Sequence, residues 1–182
     1  MSKEKQIPAK GLVVVNTGDG KGKTTAALGI ALRAVGWGMR VLILQFIKGS
    51  WKPGEVAAAE RLAPELEVIP LGEGFVDPDA ETPDDADVKM AQAGLEQYRK
   101  AIESSKYDVI VLDEINYAVK YGFLTVEDVL EIIRTKPEHL HLVLTGRDAA
   151  PEIVDAADTV TEMREIKHPF QKGSKATKGI DF

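Results

Sequence analysis

The chain has 182 residues, 44% hydrophobic and 29% charged, and this size and balance fit one globular domain spanning residues 1–182 with a substantial core. It contains no cysteine, which excludes disulfides, thiolate zinc sites, iron–sulfur clusters and a cysteine nucleophile. A net charge of -6 argues against nucleic acid or an anionic membrane as the main partner, and the absence of any long apolar stretch points to a soluble cytoplasmic protein.

Short apolar runs alternate with helical stretches along the chain. Leu12 to Val15 reads as a strand buried on both faces, and it leads into Asn16-Thr17-Gly18-Asp19-Gly20-Lys21-Gly22-Lys23-Thr24-Thr25. A helix rich in Ala, Leu and Ile follows over Thr24 to Val35. Strand, glycine-rich turn and helix in this order make a phosphate-binding P-loop. Glycines let successive backbone N–H groups converge on phosphate oxygens, the helix N-terminus favours an anion, a lysine adds charge, and a threonine hydroxyl serves magnesium. The first glycine of the usual pattern falls at Thr17, and Gly18, Gly20 and Gly22 supply the flexibility instead.

A second strand is expected over Val41 to Leu44, flanked by Trp37 and Trp51, which are assigned to core packing. Gly72 to Asp87 is rich in carboxylates with interspersed prolines and reads as an exposed acidic loop. A helix follows over Lys89 to Ser105, then a buried strand from Val109 to Leu112 that ends in Asp113 and Glu114. Carboxylates at this place in P-loop proteins hold magnesium, and spacing does not say which of the two is the direct ligand. Thr125 and Asp128 form a variant capping box for a helix through Arg134. A strand over Leu140 to Leu144 leads to Arg147, which either contacts phosphate or supports a turn. His139 and His141 alternate without an evident third metal ligand. Pro151 opens a short helix through Ala157, and His168 to Phe182 is a polar tail that either frays or folds over something. The fold expected from this order is an α/β three-layer sandwich with a mostly parallel sheet, of the RecA-like P-loop class.

Thr17 to Gly38, Val41 to Trp51 with its Gln45-Phe46-Ile47-Lys48-Gly49, Val109 to Val119, Leu144 to Ala149 and the ending from His168 together resemble the P-loop ATP:corrinoid adenosyltransferases of the bacterial cobalamin pathway. The resemblance implies that a reduced cobalt(I) corrinoid attacks the 5′ carbon of ATP and that triphosphate leaves. It implies that Gly18, Asp19, Gly20, Lys21, Gly22, Lys23, Thr24 and Thr25 bind ATP, with Arg33, about 2.5 turns beyond Thr24, near the nucleotide. Lys23, Thr24 and Glu114 are the candidate catalytic residues, and Thr24, Asp113 and Glu114 the candidate Mg2+ ligands. Phe75 matches a family aromatic that contacts the corrinoid, while Asp77 stands where a second aromatic is expected. Only Met1 to Lys10 precede the first strand, so a family helix that covers the partner subunit's site is expected to be short or missing. An external flavoprotein reductant and a homodimer are further implications. Two other readings stay open from the residues alone: a P-loop phosphotransferase or ATPase with Glu114 as base, and a non-catalytic ATP-sensing module.

Overall fold

Blocks of valine, leucine and isoleucine only a few residues long favour strands that are covered on both sides. In the computed structural model, which describes residues 10–47, 53–71, 84–173 and 175–181 (for Phe170 and Lys172 the backbone only), they form β1 (Val13–Thr17), β2 (Val41–Gln45), β3 (Leu66–Pro70), β4 (Val109–Asp113), β5 (His141–Thr145) and β6 (Thr159–Glu162). The six strands make one sheet in the order β3-β2-β4-β5-β1-β6, with every neighbouring pair parallel. Between them run α1 (Lys23–Gly36), α2 (Gly54–Arg61), α3 (Asp85–Glu103), α4 (Ile115–Lys120), α5 (Val126–Thr135) and α6 (Pro151–Ala156).

The period of two along each strand splits the core into two layers. Val41, Ile43, Val109, Val111 and Val143 face α1 and α2, where Ala27, Ala31 and Ala34 let α1 lie close to the sheet. Leu42, Leu44, Ile110, Leu112, Leu142 and Leu144 face the other way, onto Leu95 and Tyr98 of α3, Ile115 of α4, Val129 and Ile132 of α5 and Ile153 of α6. The three-layer parallel architecture is therefore as the sequence implies. The register sets Gln45 beside Asp113 and Asn16 beside Thr145, so the polar strand ends share one edge of the sheet. In open α/β sheets that edge is where ligands bind.

Several boundaries differ from expectation. The helix expected to begin at Lys89 begins at Asp85, inside the segment read as an acidic loop. Asp84 caps it by accepting from the Ala86 N–H at 2.9 Å, and Asp85 and Asp87 in the first turn suit the helix dipole. Strands β3 and β6 and helix α2 were not expected. Glu67 and Pro70 interrupt the apolar signal of β3, and all four residues of β6 are exposed at the sheet edge. Trp37 is not a core residue: it caps the end of α1 and is 83% exposed. The capping box of Thr125 and Asp128 and the N-terminal proline of α6 are both present. Among the described residues no helix is long and apolar enough to cross a membrane.

Candidate active site

Strand β1 delivers the chain into the turn from Gly18 to Gly22, and α1 starts immediately after it. Gly22, the N-cap of α1, has φ 114°, a left-handed conformation open to glycine at little cost. Gly20 is needed for close approach. Its N–H donates to the Met163 carbonyl at 2.6 Å, and an added Cβ would lie 2.8 Å from that oxygen and from the Arg164 carbonyl carbon. The chain leaving β6 thus braces the glycine turn from behind.

Lys23 is 7% exposed, and its Nζ donates to the carbonyls of Gly18 at 2.7 Å and Gly20 at 2.8 Å. The ammonium group is held inside the curve of its own loop. Burial lowers its pKa below the ordinary lysine value, and the Glu114 carboxylate opposes the shift.

Below the loop, Asp113 at the end of β4 is fully engaged. Its Oδ1 accepts from the hydroxyls of Thr24 at 2.9 Å and Thr145 at 2.7 Å, and its Oδ2 accepts from the Gln45 amide at 3.4 Å. Burial raises its pKa, and the hydroxyl and amide donors counter the shift. The Thr145 hydroxyl also accepts from the Glu114 N–H at 2.8 Å, so one side chain fixes both carboxylate residues. The Gln45 amide reaches further, to Glu55 on α2 at 3.0 Å.

Glu114 behaves differently from its neighbour. Its backbone is left-handed, with φ 61° and ψ 20°, and the kink turns the side chain out of the strand's alternation into the cleft. Its Oε2 is buried with no hydrogen-bond partner among the described residues. Burial, then the charge of Asp113, push its pKa from 4.5 up to about 7, while Lys23 and Arg147 pull the other way. An orphaned carboxylate oxygen in a cleft that Thr24 also lines fits a hard cation that prefers oxygen ligands. Among the described residues no cluster of three or more His, Cys, Asp or Glu is arranged for a metal. A cation here would therefore share few protein ligands with a phosphate-bearing molecule, which is the habit of magnesium.

These groups surround a cleft of about 230 Å³ lined by Asp19 to Thr25, Glu114, Tyr117 and Arg147, with Ile180 and Asp181 from the tail. A second, more apolar pocket of about 400 Å³ adjoins it. It is lined by Thr24, Thr25, Leu28 and Leu32 of the first helix, by Gly54, Glu55, Ala58 and Leu62 on the second, by Leu66, and by Gly179 to Asp181. The structure thus brings together Asp19 through Thr25 and Glu114, with Gly18 behind the loop and Asp113 beneath Thr24. Arg33 is exposed on α1 and lines neither cavity. Phe75, Asp77 and Trp51 lie outside the described residues. His141 sits at the opposite edge of the sheet, where its Nδ1 accepts from the Leu12 N–H at 3.2 Å, and His139 is exposed.

Sequence reasoning missed Gln45, Glu55, Tyr117, Thr145 and the tail residue Asp181. Gln45 and Thr145 were findable, because each ends a buried strand on the ligand-bearing edge. No local pattern announces Glu55 or Asp181.

Comparisons with known proteins show the family and the fold. A family model described as ATP:corrinoid adenosyltransferase BtuR/CobO/CobP matches residues 9–182. The corrinoid adenosyltransferase of Pseudomonas aeruginosa is 41% identical over 95% of this chain and 84% of its own length. The Salmonella typhimurium corrinoid adenosyltransferase CobA is 40% identical over 95% of this chain and 86% of its own length. Among solved structures, a KaiC-like protein from Pyrococcus horikoshii superposes with a TM-score of 0.58 at 14% identity, covering 87% of this chain and 75% of that one, which shows the fold alone.

Proposed function

Because the chain belongs to the ATP:corrinoid adenosyltransferase BtuR/CobO/CobP family, we infer that it transfers the 5′-deoxyadenosyl group of ATP to the cobalt of a reduced corrinoid. The cobalt(I) centre of the substrate attacks the 5′ carbon. A cobalt–carbon bond forms, the bond from that carbon to the triphosphate oxygen breaks, and its electron pair leaves with inorganic triphosphate. The protein needs no nucleophile of its own, in keeping with a cleft lined by phosphate-binding and charge-bearing groups.

The observation that carries the reading is a glycine loop whose residues Asp19–Thr25 line one cleft with Glu114, a carboxylate oxygen of which is buried without a hydrogen-bond partner among the described residues. In this reading the loop N–H groups and α1 hold the triphosphate. On binding, Lys23 exchanges the carbonyls of Gly18 and Gly20 for phosphate oxygens, and Lys21 and Arg147 add charge that stabilises the leaving group. Thr24 and Glu114 would hold Mg2+, which supplies further neutralisation of the triphosphate when bound. Asp113 then acts through Thr24 and Thr145 as a positioning residue rather than as a direct ligand. Arg33 toward the nucleoside and Phe75 toward the corrinoid complete the assignment, as do a flavoprotein reductant, a homodimeric working unit, a cytoplasmic location and a single nucleotide-binding domain.

The test is anaerobic incubation with ATP, Mg2+ and chemically reduced cobalamin, followed by chromatography. Adenosylated corrinoid and triphosphate are expected in equal amounts, with both lost in Lys23→Ala. One observation favours a second reading: Glu114, with a pKa near 7, is suited to act as a general base. ADP and phosphate, with the corrinoid unchanged, would establish that phosphotransferase or ATPase instead.

A further inference from the structure

The last described residues form a turn that closes on itself. The N–H groups of Ile180 and Asp181 both donate to the Thr177 carbonyl, at 3.1 and 2.8 Å, and the Thr177 N–H donates to Asp181 Oδ2 at 2.6 Å. The other carboxylate oxygen of Asp181 pairs with the Lys21 ammonium of the glycine loop. One side chain therefore holds the turn shut with one oxygen and anchors it to the phosphate loop with the other. Asp181 is well covered, with a side chain 15% exposed. Ile180 beside it is 78% exposed, so its side chain adds little apolar packing to the turn.

The position matters because the turn stands between two cavities. Ile180 and Asp181 line both the phosphate cleft and the apolar pocket next to it, as do Thr24 and Thr25 at their shared base. A molecule with a triphosphate on the loop and a larger body in the apolar pocket would have to pass this turn. The lysine that anchors it is also one of the cations of the phosphate cleft. A carboxylate bears one negative charge, whereas a triphosphate bears several and also gains the loop N–H groups.

We propose that the Thr177–Asp181 turn is a latch across the active site, closed by the Asp181–Lys21 pair and opened when a triphosphate takes Lys21, so that the two cavities join. The proposal rests on the phosphate-loop reading of the Proposed function. Asp181 is then an internal competitor: the closed fraction lowers the apparent affinity for triphosphate in proportion to its population. A partly exposed ion pair of this kind implies a modest bias, so Asp181→Asn should tighten binding about two- to fivefold.

The experiment is calorimetric binding of inorganic triphosphate with Mg2+, and separately of ATP with Mg2+, to the full chain and to Asp181→Asn, Lys21→Ala and the double variant. The latch requires the gain from Asp181→Asn to vanish in the Lys21→Ala background. It also requires the Ile180 and Asp181 amides of the unmodified chain to exchange hydrogen faster at saturating triphosphate. Unchanged or weaker binding by Asp181→Asn would overturn the latch. So would a gain that persists without Lys21, which would be long-range repulsion, or slower exchange on binding. If neither ligand bound the unmodified chain, the phosphate-loop reading would fall together with the latch; ligand binding without a gain overturns the latch alone.

Discussion

Replacing Glu114 by glutamine isolates the cost of burying a carboxylate that has no hydrogen-bond partner for one oxygen among the described residues. In the metal-free chain its pKa stands at about 7 against an ordinary 4.5, because burial and the neighbouring Asp113 disfavour the charge. The sign follows from the proton count. Between those two values the folded chain holds a proton that the unfolded chain has released, so stability falls as pH rises. The contribution is fully present below 4.5 and is lost as pH passes through about 7. A shift of this size corresponds to at most about 3 kcal/mol across the window. Glu114→Gln carries no titrating proton and should lack that slope. Urea unfolding in the presence of a chelator, at several pH values from about 4.5 to 8.5, reads the difference directly. The unmodified chain should lose stability relative to Glu114→Gln by about 2 to 3 kcal/mol over that range. Added Mg2+ should recover part of the loss in the unmodified chain only, since a ligated carboxylate is stabilised in its charged form. Parallel pH–stability curves for the two proteins would refute the argument that Glu114 is an unpaired, desolvated acid.

Thr145→Val keeps the shape of a buried side chain but removes the donor to Asp113 and the acceptor for the Glu114 N–H. It should lower unfolding stability by about 2 kcal/mol in urea titrations and weaken ATP binding. Gly20→Ala forces a Cβ against the backbone of Met163 and Arg164, so the loop must shift. ATP affinity measured by calorimetry should fall about tenfold or more, equivalent to about 1.4 kcal/mol. Arg147→Ala removes a cation that opposes the upward shift of Glu114. The midpoint of the Glu114 titration, followed by NMR, should rise further, and triphosphate affinity should fall.

Much of the central sheet and half of the site could be read from local pattern. The strands β1, β2, β4 and β5 are unbroken apolar blocks, and the glycine loop announces its chemistry by composition. The edges of the sheet were hidden for a physical reason. Edge strands face solvent, so β6 has the sequence Thr159-Val160-Thr161-Glu162 and lacks the apolar run that marks a buried strand. The different surroundings of Asp113 and Glu114 were also beyond spacing. They depend on the left-handed kink at Glu114 and on Thr145 and Gln45, which arrive from two other strands. Trp37 shows the reverse error: a large aromatic was assigned to the core, yet α1 turns its alanine face to the sheet and leaves Trp37 at its end in solvent. The Lys21–Asp181 pair joins a loop near the start of the chain to its last turn, a separation no sequence window spans.

The central claim is that the bond broken is the one between the 5′ carbon and the triphosphate, with the phosphate chain leaving whole. ATP labelled with tritium at the 5′ carbon and with phosphorus-32 in the γ position tests it in a single anaerobic turnover with cobalt(I) corrinoid. The tritium is expected in the corrinoid and the phosphorus label in intact triphosphate, in a one-to-one ratio. Phosphorus-32 in orthophosphate with the tritium still in ADP, and none in the corrinoid, would contradict it.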